Sequence, residues 1–301
     1  MKHIFGPVPS RRLGFSLGVD LTPYKTCTLD CTYCQLGRTT NLTLKREMRV
    51  LPEEVLKEIE SKSKEEFDCL TLAGSGEPTL HAGLDEIILG AKEFTDKPIV
   101  LLTNGTLFYD PEVRREVHDA DIIMPSLDAA TQSTFLKINR PHPDLRIDKV
   151  IEGLVALRKE FDGQMWLEVM LVKGCNDHEL KHIAAAVKRI EPDRIQLNTV
   201  VRPPTDPVKP LSPVEMDDAL CYFQNAEVIA NWERNSSTGS DVQIYNLLFH
   251  RPCTLEDMTR LTKLHRNEVL KYLEVMERDG LLIRQRNGEK IYFKASEKPI
   301  K

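Results

Sequence analysis

GVDLTPYKTCTLDCTYC, residues 18–34, runs from a short apolar stretch into three closely spaced cysteines. GVDL (18–21) reads as the first strand of a barrel. Cys27, Cys31 and Cys34 follow it in a C-x3-C-x2-C run. Three thiolates so close can converge on one metal centre. A four-iron cluster has four irons to ligate, so three cysteines leave one iron open for a small chelating ligand. A structural Cys3His zinc site also draws on cysteines this close, and the cysteines alone leave both readings open.

Outward from this stretch, β-rich apolar runs alternate with helical patterns. The runs are FDCLTLAG (67–74), PIVLLT (98–103), ADIIMPS (120–126), MWLEVMLV (165–172) and DRIQLNTV (193–200). Helical spacing falls at 52–63, 84–94, 148–161 and 177–190, with Pro52 suited to a first turn and Asp177 to an N-cap. Strands separated by helices of this length are parallel and joined by crossovers. Six units are too few for a closed eight-stranded barrel, so the expected core is an open one with its ligands at the strands' C-terminal ends. RPPTDPVKPLSP (202–213) holds five prolines and reads as a stiff strap. A short helix (214–224) and the linker NSSTGS (235–240) follow. Residues 241–301 then give three helical patterns and an alternating segment around Asn287-Gly288, a hairpin turn signal. Helix, helix, helix, hairpin is the layout of a winged helix. The fold class is thus α/β: a partial (β/α)6 TIM-like barrel over 1–211, a connecting helix and linker over 212–240, and a C-terminal winged-helix domain over 241–301.

Composition is that of an ordinary globular chain, with 41% apolar and 29% charged residues in 301. No run of about eighteen apolar residues occurs, so no membrane is expected. Prolines and arginines stand where a signal peptide needs its apolar centre, and the cytoplasm is the expected compartment. There seven cysteines serve as thiols and metal ligands, not disulfides. The net charge of −5 is uneven: residues 241–301 hold 12 Lys and Arg against 9 Asp and Glu, and the first 240 hold 29 against 37. A mildly basic tail on an acidic body hints at a polyanionic partner, although such a balance is common on sixty residues.

The loops after the strands should open on one face. After the second strand comes Gly74-Ser75-Gly76-Glu77-Pro78, whose glycines permit close backbone approach to a ligand and whose Glu77 places an anion there. After the third comes Asn104. The fourth ends in Ser126 and Asp128, suited to ribose hydroxyls, the fifth carries Glu168, and the sixth ends near Asn198. Singly, each is an ordinary turn or cap. Together, in order behind a three-cysteine loop, they describe one site.

On these residues the chain resembles the radical SAM superfamily. CTLDCTYC matches its C-x3-C-x-aromatic-C cluster motif, and GSGEP resembles the motif that grips the amino group of S-adenosylmethionine (SAM), with Ser75 where many members have glycine. The wider pattern GPVPSRRLG, CQLGRTT, NRPHP and EVMLVKGCND looks like the wyosine-synthase-like subgroup, without the upstream cysteines that hold a second cluster there. The resemblance implies a [4Fe–4S] cluster on Cys27, Cys31 and Cys34, SAM chelating the open iron, and Tyr33 packed near the adenine. It also implies a ferredoxin or flavodoxin as electron donor and a 5′-deoxyadenosyl radical that takes hydrogen from a substrate.

Cys69, Cys221 and Cys253 read as small core residues. Cys175, on a strand-end loop, is a candidate for a role at the site. Arg11 and Arg12 are either a solvated pair or a lid that holds an anion, and Arg140 and His142 in NRPHP are loop candidates for substrate contact. His265 and Arg266, with Arg284, Arg286, Lys290 and Lys294 on the wing, are where RNA or DNA phosphates would be met, against Glu268, Glu274 and Glu277 on the same helix. Three functions follow. The first is a radical enzyme modifying RNA or a peptide brought by the winged helix. The second acts on a small molecule, with the winged helix docking protein. The third is a metal-sensing transcription regulator, for which a SAM cradle has no use.

Overall fold

The computed structural model describes residues 3–10, 12–201, 204–229, 244–245, 247–248, 252–262, 264–287 and 290–296. The linker 235–240 and Arg11 lie outside them. Among these residues a nine-stranded sheet forms the body, with β1 (Ile4–Ser10), β2 (Gly14–Val19), β5 (Cys69–Leu72), β6 (Ile99–Thr103), β7 (Ile122–Pro125), β8 (Gln164–Lys173), β9 (Arg194–Thr199) and β11 (Ala226–Val228) side by side in that order. β10 (Lys209–Pro210) pairs antiparallel with the end of β8, and two-residue strands β3 (Thr26–Cys27) and β4 (Asn41–Leu42) pair apart from the sheet. From β2 to β11 the pairing is parallel throughout.

Three differences from the expected six-unit barrel have physical causes. The first parallel strand is Gly14–Val19 rather than 18–21, because it pairs antiparallel with β1 from Ser10↔Gly14 to Ile4↔Val19, which draws the upstream residues into the sheet. Strand β1 carries Pro7 and Pro9 and a register shift between Phe5 and Val8, which an edge strand tolerates. Third, β11 makes a seventh parallel strand inside the stretch expected to be connecting helix and linker. It is three residues long, too short for its periodicity to show.

The two sheet faces separate by strand alternation. In β5, Leu70 and Leu72 point to the main core under the helices, while Cys69 joins a small inner cluster with Val100, Met124 and Trp166. Helix α1 (Pro52–Lys62) has Pro at its first turn, Glu53 and Glu54 at the start and Lys62 at the end, and buries Val55 and Ile59. Helices α2 (Leu84–Lys92), α5 (Ile147–Glu160) and α6 (Leu180–Ile190) cover the same face, joined by the short α3 (Pro111–Glu116) and α4 (Gln132–Ile138). Asp177 does not cap α6 but heads a 3-10 turn and accepts from Gly174 N–H. Helix α7 (Pro213–Leu220) follows the strap behind a capping box of Ser212 and Glu215.

Beyond the strap, α8 (Leu255–Thr262) and α9 (Arg266–Arg278) pack with the hairpin of β12 (Leu282–Asn287) and β13 (Lys290–Ala295) around Leu255, Met258, Tyr272, Leu273 and Phe293. Ile244, Tyr245, Leu247 and Leu248 are helical, the part of the first expected helix that is described. Asn287 pairs with Lys290, so the hairpin closes one residue later than the Asn287-Gly288 turn signal implies. Cys253 is buried here, whereas Cys221, expected in a core, is exposed at the end of α7. No helix among the described residues is long and apolar enough to cross a membrane.

Candidate active site

At the C-terminal ends of the parallel strands lies a cavity of about 400 Å³, within the usual range for a small-ligand site. Cys27, Cys31, Cys34 and Tyr33 line it from the loop after β2, with Gly74, Gly76 and Glu77 after β5, Asn104 after β6, Ser126 after β7, Glu168 and Met170 from β8, and Asn198 from β9. The strand-end residues expected to share one face do so. Ser75, Pro78 and Asp128 are the three that do not line the cavity.

A side-chain N–H donor from a different place reaches each cysteine sulfur. Asn104 Nδ2 lies 3.6 Å from Cys27 Sγ, Asn139 Nδ2 lies 3.4 Å from Cys31 Sγ, and Lys25 Nζ lies 3.2 Å from Cys34 Sγ. Sulfur accepts at longer distances than oxygen, and N–H donors to sulfur are a lever by which proteins tune cluster thiolates. Burial pushes the Cys27 thiol up to about 12, with the Glu77 carboxylate adding to the rise, and pushes Cys31 well above its ordinary value with help from Asp128. These thiols stay protonated until a metal takes them, and a bound cation inverts that preference. Among the described residues no three His, Cys, Asp or Glu groups converge on one ion. A cubane asks for something else, one sulfur on each of three irons.

The cysteine loop is clasped from outside. Asp30 and Thr32 donate their N–H groups to the carbonyls of Asn139 and Ile138 at the end of α4, and Thr205 Oγ1 donates to Cys34 O at 2.6 Å. Arg38 joins Asp30 at 2.9 Å to Asp206 at 2.8 Å, and Arg140 pairs with Asp206. His142 N–H donates to Thr28 O at 2.9 Å. Arg140 and His142, candidates for substrate contact, therefore brace the cysteine loop.

In the GSGEP loop a Cβ on Gly74 would come within 2.1 Å of Asp20 Oδ1, and one on Gly76 within 2.0 Å of Thr26 O. Neighbouring protein atoms are enough to demand glycine at both positions. Ser75 donates its Oγ–H to Asp20 Oδ2 at 2.6 Å and its N–H to Oδ1 at 3.0 Å. Glu77 is buried and accepts from Thr79 N and Oγ1, Thr103 Oγ1 and Asn104 N. Burial still holds its carboxyl above the usual range against those donors. Pro78 opens the 3-10 turn that Glu77 caps.

Asp128, expected at ribose hydroxyls, is buried and does not line the cavity. Its Oδ2 accepts from Tyr33 Oη and from Asn139 Nδ2 at 2.7 Å, and its Oδ1 from Met170 N at 2.9 Å, so it orients Tyr33 and the Cys31 donor. Burial raises it to about 6 despite these donors. Glu168 pairs with Arg12 and accepts from Asn198 Nδ2 at 2.8 Å. Arg12 does fold over the site, onto this carboxylate.

One side of the cavity comes from beyond the barrel. Asn267 and Lys271 of α9 line it, and the helix packs on β1. His265 stacks on Phe5 with ring centroids 4.5 Å apart, and its Nε2 lies 3.2 Å from Asp20 Oδ2. Arg266 donates to Tyr24 Oη at 2.7 Å and lies over its ring. Sequence reading missed Asp20, Lys25 and Asn139 as parts of the site. Only Asn139 had a nearby signal, at the head of NRPHP.

A model of the Radical SAM superfamily matches residues 21–187. The chain belongs to the radical SAM superfamily. It is an enzyme of that class, with the [4Fe–4S] cluster and SAM as its cofactors. Three thiols on one cavity wall, each with its own N–H donor, fit the cluster. The UPF0026 protein of Methanocaldococcus jannaschii is 32% identical over 97% of this chain and 96% of its own length. A protein named GTPase Obg from Brachyspira hyodysenteriae is 37% identical over 87% of this chain, which spans only 42% of that relative. Among solved structures, a radical SAM methyltransferase from Sphaerobacter thermophilus superposes with a TM-score of 0.54 at 16% identity, covering 73% of this chain and 67% of that one. That likeness is one of fold.

Proposed function

We propose that this radical SAM enzyme cleaves SAM reductively and directs the resulting radical at a small molecule admitted to the cavity. The bound cofactors supply one-electron scission of the SAM carbon–sulfur bond, giving methionine and a 5′-deoxyadenosyl radical. The chain's part is to hold, orient and exclude water. Cys27, Cys31 and Cys34 ligate the cluster. Gly74, Gly76 and Glu77 face the amino end of SAM, Tyr33 its adenine, and Ser126, Glu168 and Asn198 its ribose. Asn104 fixes Glu77 from behind, Ser75 and Pro78 set the loop's course, and Asp128 sets Tyr33. A ferredoxin or flavodoxin is the electron donor.

The observation that carries the substrate class is the docking of the C-terminal segment. We read that segment as a winged helix, and His265 and Arg266 open what would be its recognition helix. Their contacts go to Phe5, Asp20 and Tyr24 of the barrel, while Asn267 and Lys271 face the cavity. A helix start used in this way is a wall of the site, not a probe for a groove. The exposed Arg286 and Lys290 on the hairpin favour a second reading, RNA or a peptide as substrate, closer to the wyosine-synthase-like subgroup.

Anaerobically reconstituted protein should hold about four iron and four sulfide per chain and, with dithionite, release methionine and 5′-deoxyadenosine. Glu77→Gln should weaken SAM binding about tenfold, as loss of one charge-assisted contact does. The metabolite fraction of a cell extract should accelerate 5′-deoxyadenosine release, and its RNA fraction should not. Acceleration by RNA alone moves the assignment to the second reading. Intact SAM after prolonged reduction removes both.

A further inference from the structure

We infer that Lys25 is the charge-compensating residue of the cluster site, its ammonium bonded to the Cys34 thiolate and raising the potential at which the bound cluster accepts an electron. This rests on the enzyme reading above. Lys25 is only 3% exposed, and its Nζ meets Cys34 Sγ at 3.2 Å rather than a carboxylate. A buried ammonium needs an anionic partner, and a neutral thiol is not one. A cluster-ligating thiolate is.

The backbone supports the same assignment. Lys25 has φ 57°, a left-handed conformation that costs a β-carbon residue energy and persists only where its surroundings enforce it. They do so here. Its N–H donates to Ser75 O at 2.7 Å, and its carbonyl accepts from Thr40 and Asn41 N–H at 3.1 Å each. The residue is pinned between the GSGEP loop and the segment after the cysteines, with its side chain turned onto Cys34. Cys27 and Cys31 receive neutral amide donors, so the cationic donor is specific to Cys34.

Reduction adds one electron from the external donor, breaks no bond and makes the site more negative by one charge. A fixed cation beside one ligand favours the reduced form, by a factor of at least about ten for a unit charge a few ångströms away in a partly polar interior. Tenfold is ~59 mV for a one-electron couple.

The test is a potentiometric titration with dithionite, followed by the electron paramagnetic resonance signal of the reduced cluster, on wild type, Lys25→Met, Lys25→Gln and Lys25→Arg without SAM. The two neutral variants should show a reduced-to-oxidised ratio at least about tenfold lower at the wild-type midpoint, and Lys25→Arg should stay near wild type. A midpoint is independent of occupancy, so partial loading of a variant does not spoil it. Equal midpoints in wild type and Lys25→Met overturn the inference. So does loss of the cluster in all three variants, Arg included, since side-chain shape rather than charge would then be required. Loss in the neutral variants alone supports it. A wild type that holds no four-iron cluster defeats the enzyme reading instead.

Discussion

The Asp128 carboxylate is buried behind the cavity wall. A Ser-x-Asp at a strand end suits ribose hydroxyls, yet three donors from Tyr33, Asn139 and Met170 occupy this carboxylate behind the wall. Its titration gives a test. Burial raises its folded value from 3.8 to about 6, so the native state holds the proton more tightly than the unfolded chain does. Its contribution to stability is full below the unfolded value of 3.8 and is lost as pH rises through about 6, a change on the order of 3 kcal/mol. Urea denaturation of the apoprotein across this window should show wild type losing stability relative to Asp128→Asn as pH rises. Parallel curves would show that the carboxyl titrates as it does in water.

At the scale of elements, the junction of α9 with β1 and the GSGEP loop decides most. Asp20 accepts from Ser75 on one side and pairs with His265 on the other, tying the SAM loop to the C-terminal segment. A double-mutant cycle of Asp20→Ala with His265→Ala should give a coupling of about 1 kcal/mol or more, as for groups in one polar network. Amide exchange in 74–77 should rise in His265→Ala. Independent effects and unchanged exchange would mean that helix and loop only lie side by side. None of this was legible in the sequence, where His265 looked like the start of a recognition helix. Position along the chain gives no sign that residue 265 returns to residue 20.

For the whole molecule, the C-terminal segment shares the cavity with the parallel core, because Asn267 and Lys271 stand in its wall. A chain ending at residue 229 should still load its cluster, because Cys27, Cys31 and Cys34 and the donors Lys25, Asn104 and Asn139 all precede that point. It should hold SAM several-fold more weakly and lose its charge-transfer absorbance faster in air, as an opened cavity admits water and oxygen. Equilibrium dialysis and a bleaching time course check both. SAM affinity equal to the full chain would mean that residues 267 and 271 do not help to hold SAM.

The parallel core and its cluster loop can be read from the order of residues. Strand and helix periods are local, and so is the spacing of three cysteines, so both survive reading along the chain. That order also places Glu77, Asn104, Ser126, Glu168 and Asn198 on one face, because parallel strands carry all their C-terminal ends to the same side. Which neighbour each polar group meets is settled only once the chain is folded. The donors on the cysteines come from residues 25, 104 and 139, and the wall that closes the cavity comes from residues 267 and 271. Hydrogen bonds and burial are set by separations of a few ångströms between residues far apart in the chain, as Arg266 and Tyr24 are, and no local period encodes them.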